Sequence, residues 1–146
     1  WAVWGYRTVR LAQLNADLTD LVPGTERVIL KDSADIGEGL HLYKIDGTYF
    51  ITSAWYDGTM RMACARAKSL VGPWETNPAI SIDEEFGLAE GNRMWKTDGP
   101  PFTFTRGNPS SRGRLSLHQG GIVNTPSGEW WGFSNTVRVS YLIMRR

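Results

Sequence analysis

Ile36-Gly37-Glu38-Gly39-Leu40-His41-Leu42-Tyr43-Lys44-Ile45-Asp46-Gly47-Thr48-Tyr49-Phe50-Ile51-Thr52-Ser53-Ala54-Trp55-Tyr56 is the stretch that decides the reading of this chain. Two runs of alternating, β-prone residues flank an Asp46-Gly47 pair. Asp-Gly between such runs is a strong hairpin signal, because both residues tolerate the positive φ of a tight turn. Just before the first strand stands Glu38 between two glycines, which let the backbone bend and leave the carboxyl uncrowded. An acid at the mouth of a hairpin is a candidate for catalysis.

The 146 residues suit one ordinary domain with a sizeable core. Sixteen basic residues against fifteen acidic ones give a net charge of +1, a balance that calls for neither nucleic acid nor an anionic membrane. The one cysteine, Cys64, rules out an intrachain disulfide, and Cys-x-x-Cys metal spacing is absent. With Met62, Ala63 and Ala65 beside it, Cys64 reads as a packed strand residue rather than a nucleophile. No apolar run is long enough to span a bilayer. No signal-peptide pattern is visible, and the chain opens on Trp1-Ala2-Val3-Trp4, already strand-like. Seven Trp and sixteen Gly fit an all-β domain that handles sugars or small ligands, although any individual Trp reads first as a sheet-core residue.

Outward from the hairpin, strands are expected at residues 1–6, Thr8–Leu14 and Glu26–Leu30, with loop chemistry over Ala16–Gly24 and a polar turn over Lys31–Gly39. Leu40–Ile45 and Thr48–Trp55 form the hairpin, Met60–Ala67 follows, and Ser69–Glu75 turns with Trp74 facing inward. Pro78–Ile82 reads as a short edge strand. Asp83–Arg114 carries weaker signals and is expected to be a long insertion wrapping over a neighbouring element. Order returns at Ser116–Thr125, the Pro126-Ser127-Gly128 turn, Glu129–Ser134 and Val137–Met144. No long segment carries a helical apolar stripe.

A repeat underlies these strands. Gly47-Thr48-Tyr49-Phe50 resembles Gly128-Glu129-Trp130-Trp131, the opening Trp4-Gly5 looks like a further copy, and Arg10-Leu11-Ala12 echoes Arg61-Met62-Ala63. All-strand units of roughly 50 residues have the spacing of propeller blades. A propeller closes with about four to eight blades, and there is room here for about three. The chain, 1–146, is therefore expected to be a partial propeller, incomplete at its N-terminus and also at its C-terminus, with the remaining blades supplied by another chain or a missing segment.

Glycosidic bond cleavage needs two carboxyl groups, one to donate a proton and one to activate water or attack. Glu38 is the candidate donor, on the expectation that an apolar, Trp-lined funnel disfavours its ionised form. Asp35 and Asp57 are near in sequence, but nothing local marks either as a base. His118, in Leu117-His118-Gln119-Gly120-Gly121, could line a pore, contact substrate or reach an ion through water. No Ser-His-Asp order, phosphate-binding loop, dinucleotide fingerprint or zinc-protease motif is present.

These residues resemble glycoside hydrolase family 43. Glu38-Gly39-Leu40-His41-Leu42-Tyr43-Lys44 followed by Asp46-Gly47-Thr48-Tyr49-Phe50 is similar to that family's general-acid segment. Ala65-Arg66-Ala67-Lys68-Ser69, ending Gly72-Pro73-Trp74-Glu75, resembles its next strand and turn. His118-Gln119-Gly120-Gly121-Ile122-Val123, with Thr125-Pro126-Ser127-Gly128-Glu129-Trp130-Trp131, resembles its pore-histidine segment. The flavour is closest to β-xylosidases and α-L-arabinofuranosidases. The resemblance implies an all-β, five-bladed β-propeller with an inverting mechanism and a site at the central axis. Glu38 would be the general acid, and the base aspartate and a second aspartate that tunes the acid would lie outside this chain. His118 would sit near the axis, where some members hold Ca2+ through water; no cofactor is otherwise required. Trp55 would offer an apolar platform to a sugar ring, while Arg61 and Arg66 read as structural. The partner implied is a hemicellulose-derived oligosaccharide, and the location extracellular or periplasmic. Beyond Ser134 the tail departs from the family pattern. The isolated chain is expected to be inactive. The competing readings are a non-catalytic carbohydrate-binding β-domain and a protein-interaction propeller fragment.

Overall fold

The computed structural model describes residues 1–56, 60–77, 92–93, 103–105, 118–128, 130–135 and 141–145. Within them the regular structure is entirely strand, arranged as three antiparallel sheets. The first sheet is β1 (Ala2–Tyr6), β2 (Thr8–Ala12) and β3 (Arg27–Leu30), in that order. The second is the meander β4 (His41–Ile45), β5 (Thr48–Tyr56), β6 (Met60–Ala67) and β7 (Glu75–Asn77). The third comprises β8 (Asn92–Arg93), β9 (Thr103–Thr105), β10 (His118–Asn124), β11 (Trp130–Asn135) and β12 (Tyr141–Arg145), in the order β10-β11-β12-β9-β8.

The central hairpin forms as its sequence dictates. Asp46 and Gly47 take φ values of 47° and 75°, both positive as a twist-matched two-residue turn demands. That turn sets the register Ile45↔Thr48 to His41↔Thr52, and β6 continues it from Tyr49↔Ala67 to Tyr56↔Met60. Gly128, with φ 84° and its amide donating to the Thr125 carbonyl, makes the corresponding turn between β10 and β11.

The strand repeat is real, with one correction. Trp4 lies opposite Arg10 in the first sheet, and Trp55 lies opposite Arg61 in the second. The echo of Arg10-Leu11-Ala12 in Arg61-Met62-Ala63 is thus a shared register, which aligns β1–β2 with β5–β6. Trp4-Gly5 stands at the end of β1 and not in a turn before a strand, so it does not match the Gly47 and Gly128 positions. The long insertion also behaves differently from expectation where it is described. Its strands β8 and β9 do not lie over a face but extend the third sheet edge-on through β12, with Arg145 opposite Thr103. The expected strand Pro78–Ile82 lies outside the described residues; the strand that closes the second sheet is Glu75–Asn77.

Alternation along the strands gives the second sheet two buried faces. Toward the first sheet, Ile51, Ala63 and Ala65 form a fully buried cluster with Val9 of β2 and Ile36. Leu40, Leu42 and Trp74 pack against it. The small side chains of β6 let the neighbouring layer approach closely, while each buried Val or Ile contributes about 1.5–3 kcal/mol. On the other face β10 packs against β5 and β6. A polar tie crosses there: the Ile122 amide donates to the Tyr43 hydroxyl at 2.8 Å. Burial pushes the Tyr43 phenol up, against the opposing pull of its hydrogen bonds to Ile122 and Thr52.

Two measurements test this packing. Tyr43→Phe leaves the buried Ile122 amide without an acceptor and is expected to cost about 1–3 kcal/mol in urea denaturation. Because the folded phenol holds its proton more tightly than the unfolded one, its contribution is complete below a pH of about 10 and is lost as pH rises through the folded value. Stability should therefore fall less steeply above that pH in Tyr43→Phe than in the wild type. Cys64 is fully buried and its thiol is pushed far up by desolvation. It should stay inert to a thiol reagent such as dithionitrobenzoate until the chain unfolds.

Candidate active site

Glu38 sits at the end of a strap that the sequence suggested was merely a polar turn. Residues 31–39 leave β3 and run along the seam between the first and second sheets before entering β4. The start of the strap is tied to the β1–β2 turn. The Ser33 amide donates to the Arg7 carbonyl at 2.8 Å, and Arg7 Nε donates to the Ser33 carbonyl at 3.2 Å. The Thr8 hydroxyl donates to Asp32 Oδ1 at 3.1 Å.

The second half of the strap is tied to the second sheet. Thr76 Oγ1, on the outermost strand β7, donates to Asp35 Oδ2 at 2.5 Å. Ile36 is 0% exposed and forms part of the apolar cluster. The Gly37 amide reaches the buried Ser53 hydroxyl at 3.4 Å, and the Ala54 amide donates to the Glu38 carbonyl at 2.7 Å. Gly39 then turns the chain into β4 with φ 65°, a conformation that any residue with a Cβ adopts only under strain. Of the two glycines around Glu38, Gly39 supplies the bend. Gly37 is buried and directs its amide to the Ser53 hydroxyl instead.

The result is a carboxyl side chain that is exposed while its main chain is clamped. The apolar, Trp-lined enclosure expected around Glu38 is not formed by the described residues. Asp35 is part-buried and engaged by Thr76, so it is committed to holding the strap. Asp57 lies outside the described residues. Trp55 directly follows Ala54, whose amide holds Glu38, which places its backbone beside the acid; its side chain lies outside the described residues. His118 opens β10 opposite Asn135, with a register irregularity before Gly120, and its side chain is likewise outside them. Among the described residues no group of three His, Cys, Asp or Glu side chains is placed to hold a metal ion. Arg66 pairs with Glu75 across β6 and β7 at 2.9 Å, the structural role expected of it. Tyr43 and Thr76 were not singled out by sequence. Their partners are 79 and 41 residues away, and only folding brings them together.

No protein-family model and no curated protein matches the sequence. Solved structures do. The chain is similar to a bifunctional GH43-CE protein of Bacteroides eggerthii, at 24% identity and a TM-score of 0.61 over 96% of this chain and 16% of that one. It is similar to a xylan β-1,4-xylosidase of Bacillus halodurans, at 22% identity and a TM-score of 0.57 over 94% of this chain and 24% of that one. A mutant of the GH43 protein BlXynB of Bacillus licheniformis matches at 26% identity and a TM-score of 0.53, over 90% of this chain and 22% of that one. The chain thus spans about a quarter or less of the length of these structures. In fold, then, the chain is a fragment similar to part of these GH43 structures.

Proposed function

We propose that this chain is part of an inverting glycoside hydrolase that cleaves xylosyl or arabinofuranosyl linkages in hemicellulose, with Glu38 as its general acid. The observation that carries the reading is the clamp on Glu38. The Ala54 amide fixes its carbonyl while the carboxyl stays exposed, which is how a proton donor is held still yet open to a substrate. The xylosidase among the similar structures supports the choice of substrate class.

In this reading the Glu38 carboxyl donates its proton to the glycosidic oxygen as the bond to the anomeric carbon breaks. A carboxylate on the opposite face of the sugar deprotonates the attacking water, which requires the two groups to lie roughly 6.5–9.5 Å apart. That base is an aspartate outside this chain, carried by the blades that complete a five-bladed ring. Those blades also supply the apolar wall that the described residues around Glu38 lack. Trp55, near the end of β5, and His118, at the start of β10, are the residues assigned to contact the sugar. The enzyme works outside the cell or in the periplasm, where xylan fragments are met.

In the active assembly, this chain joined to the segment bearing the base, Glu38→Gln should reduce turnover of xylosides with poor leaving groups by about 10²–10⁴-fold. Aryl xylosides whose leaving groups need little protonation should suffer much less. Equal, unchanged rates on both classes would overturn the assignment of Glu38.

A further inference from the structure

Building on the reading of Glu38 as the acid, we propose that Asp35 is a positioning residue, whose bond to Thr76 holds the Glu38 carboxyl in register with the sheet. Four consecutive residues of the strap are each anchored to the second sheet by a different device. Asp35 is held through its carboxylate, Ile36 by burial, Gly37 through its amide and Glu38 through its carbonyl. Three residues of chain span at most about 10 Å, so a shift at Asp35 has little slack in which to dissipate before Glu38.

The anchors differ in strength. Gly37 to Ser53 is long at 3.4 Å and gives little directional hold, whereas Thr76 to Asp35 is short at 2.5 Å. Thr76 lies on β7, at one edge of the second sheet, and Ala54 lies on β5. The Asp35 bond therefore fixes the outer end of the strap, and the Ala54 bond fixes its inner end. Without the outer tie, the segment ahead of Ile36 keeps its bonds through Asp32 and Ser33 to the first sheet. Motion of the first sheet would then be passed along the strap to Ile36, Gly37 and Glu38, whose remaining ties alone would have to resist it.

What Asp35 supplies is an acceptor for the Thr76 hydroxyl, and a carboxamide oxygen can replace it. A residue acting as a base could not be so replaced. Amide hydrogen exchange of this chain separates these roles without requiring activity. Asp35→Ala and Thr76→Val should speed exchange of the Gly37 and Ala54 amides about five- to tenfold relative to amides elsewhere in β5 and β6. Asp35→Asn should leave them at the wild-type rate. In the active assembly, Asp35→Ala should lower kcat on poor leaving groups with KM little changed, and Asp35→Asn should restore it. Unchanged exchange in Asp35→Ala, or an Asp35→Asn variant as impaired as Asp35→Ala, would overturn the proposal. Failure of the acid reading has a different signature: Glu38→Gln leaves the rates untouched, whatever the exchange shows.

Discussion

A 2.7 Å hydrogen bond from the Ala54 amide to the Glu38 carbonyl joins the strap to the second sheet, and much of the described architecture converges on that point. On one side, Ile36 is driven into the seam by the same apolar cluster that binds the two sheets together. On the other, Gly39 turns the chain directly into β4, so the strap cannot shift without disturbing the register of the hairpin. Hydrophobic burial supplies most of the energy and the hydrogen bonds supply the geometry. A carboxyl attached to this junction inherits its rigidity while keeping its own side chain free.

The same physics explains how the sheets stack. The second sheet buries both faces, using alternation along β5 to send Ile51 one way and Phe50 the other. Toward the third sheet the layer is joined by packing of β10 and by the Tyr43 hydroxyl, which satisfies an amide that would otherwise be stranded in the interior. The third sheet obtains its outer strands from chain that precedes its own inner strand. This non-sequential pairing leaves β9 beside β12.

Local signals were the readable part of the sequence. Asp46-Gly47 specified its turn because only certain residues accept positive φ, and Met60–Ala67 appeared with the expected bounds. The echo between Arg10-Leu11-Ala12 and Arg61-Met62-Ala63 was legible because the same register problem is solved twice. The strap was not legible. Lys31–Gly39 is polar in composition, and a lone Ile36 between Asp35 and Gly37 does not announce a fully buried side chain. Nor could Asp35 be recognised as an anchor, since Thr76 reaches it only after β5, β6 and β7 are laid side by side. The pairing of β9 with β12 was hidden for the same reason: long-range partners leave no periodic trace. Glu38 itself was conspicuous from its glycines, although their roles turned out to differ.

On the proposed reading, the clamped, exposed Glu38 carboxyl is half of the apparatus an inverting glycosidase requires, and the other half is carried by blades outside this chain. Assay of an aryl β-xyloside and an aryl α-L-arabinofuranoside, by this chain alone and after addition of the polypeptide that completes the ring, tests that division most directly. The chain alone should show no turnover, and turnover should appear on completion and depend on Glu38. Hydrolysis by the isolated chain, with the product anomer inverted, would contradict that division, because the base would then have to lie within these residues.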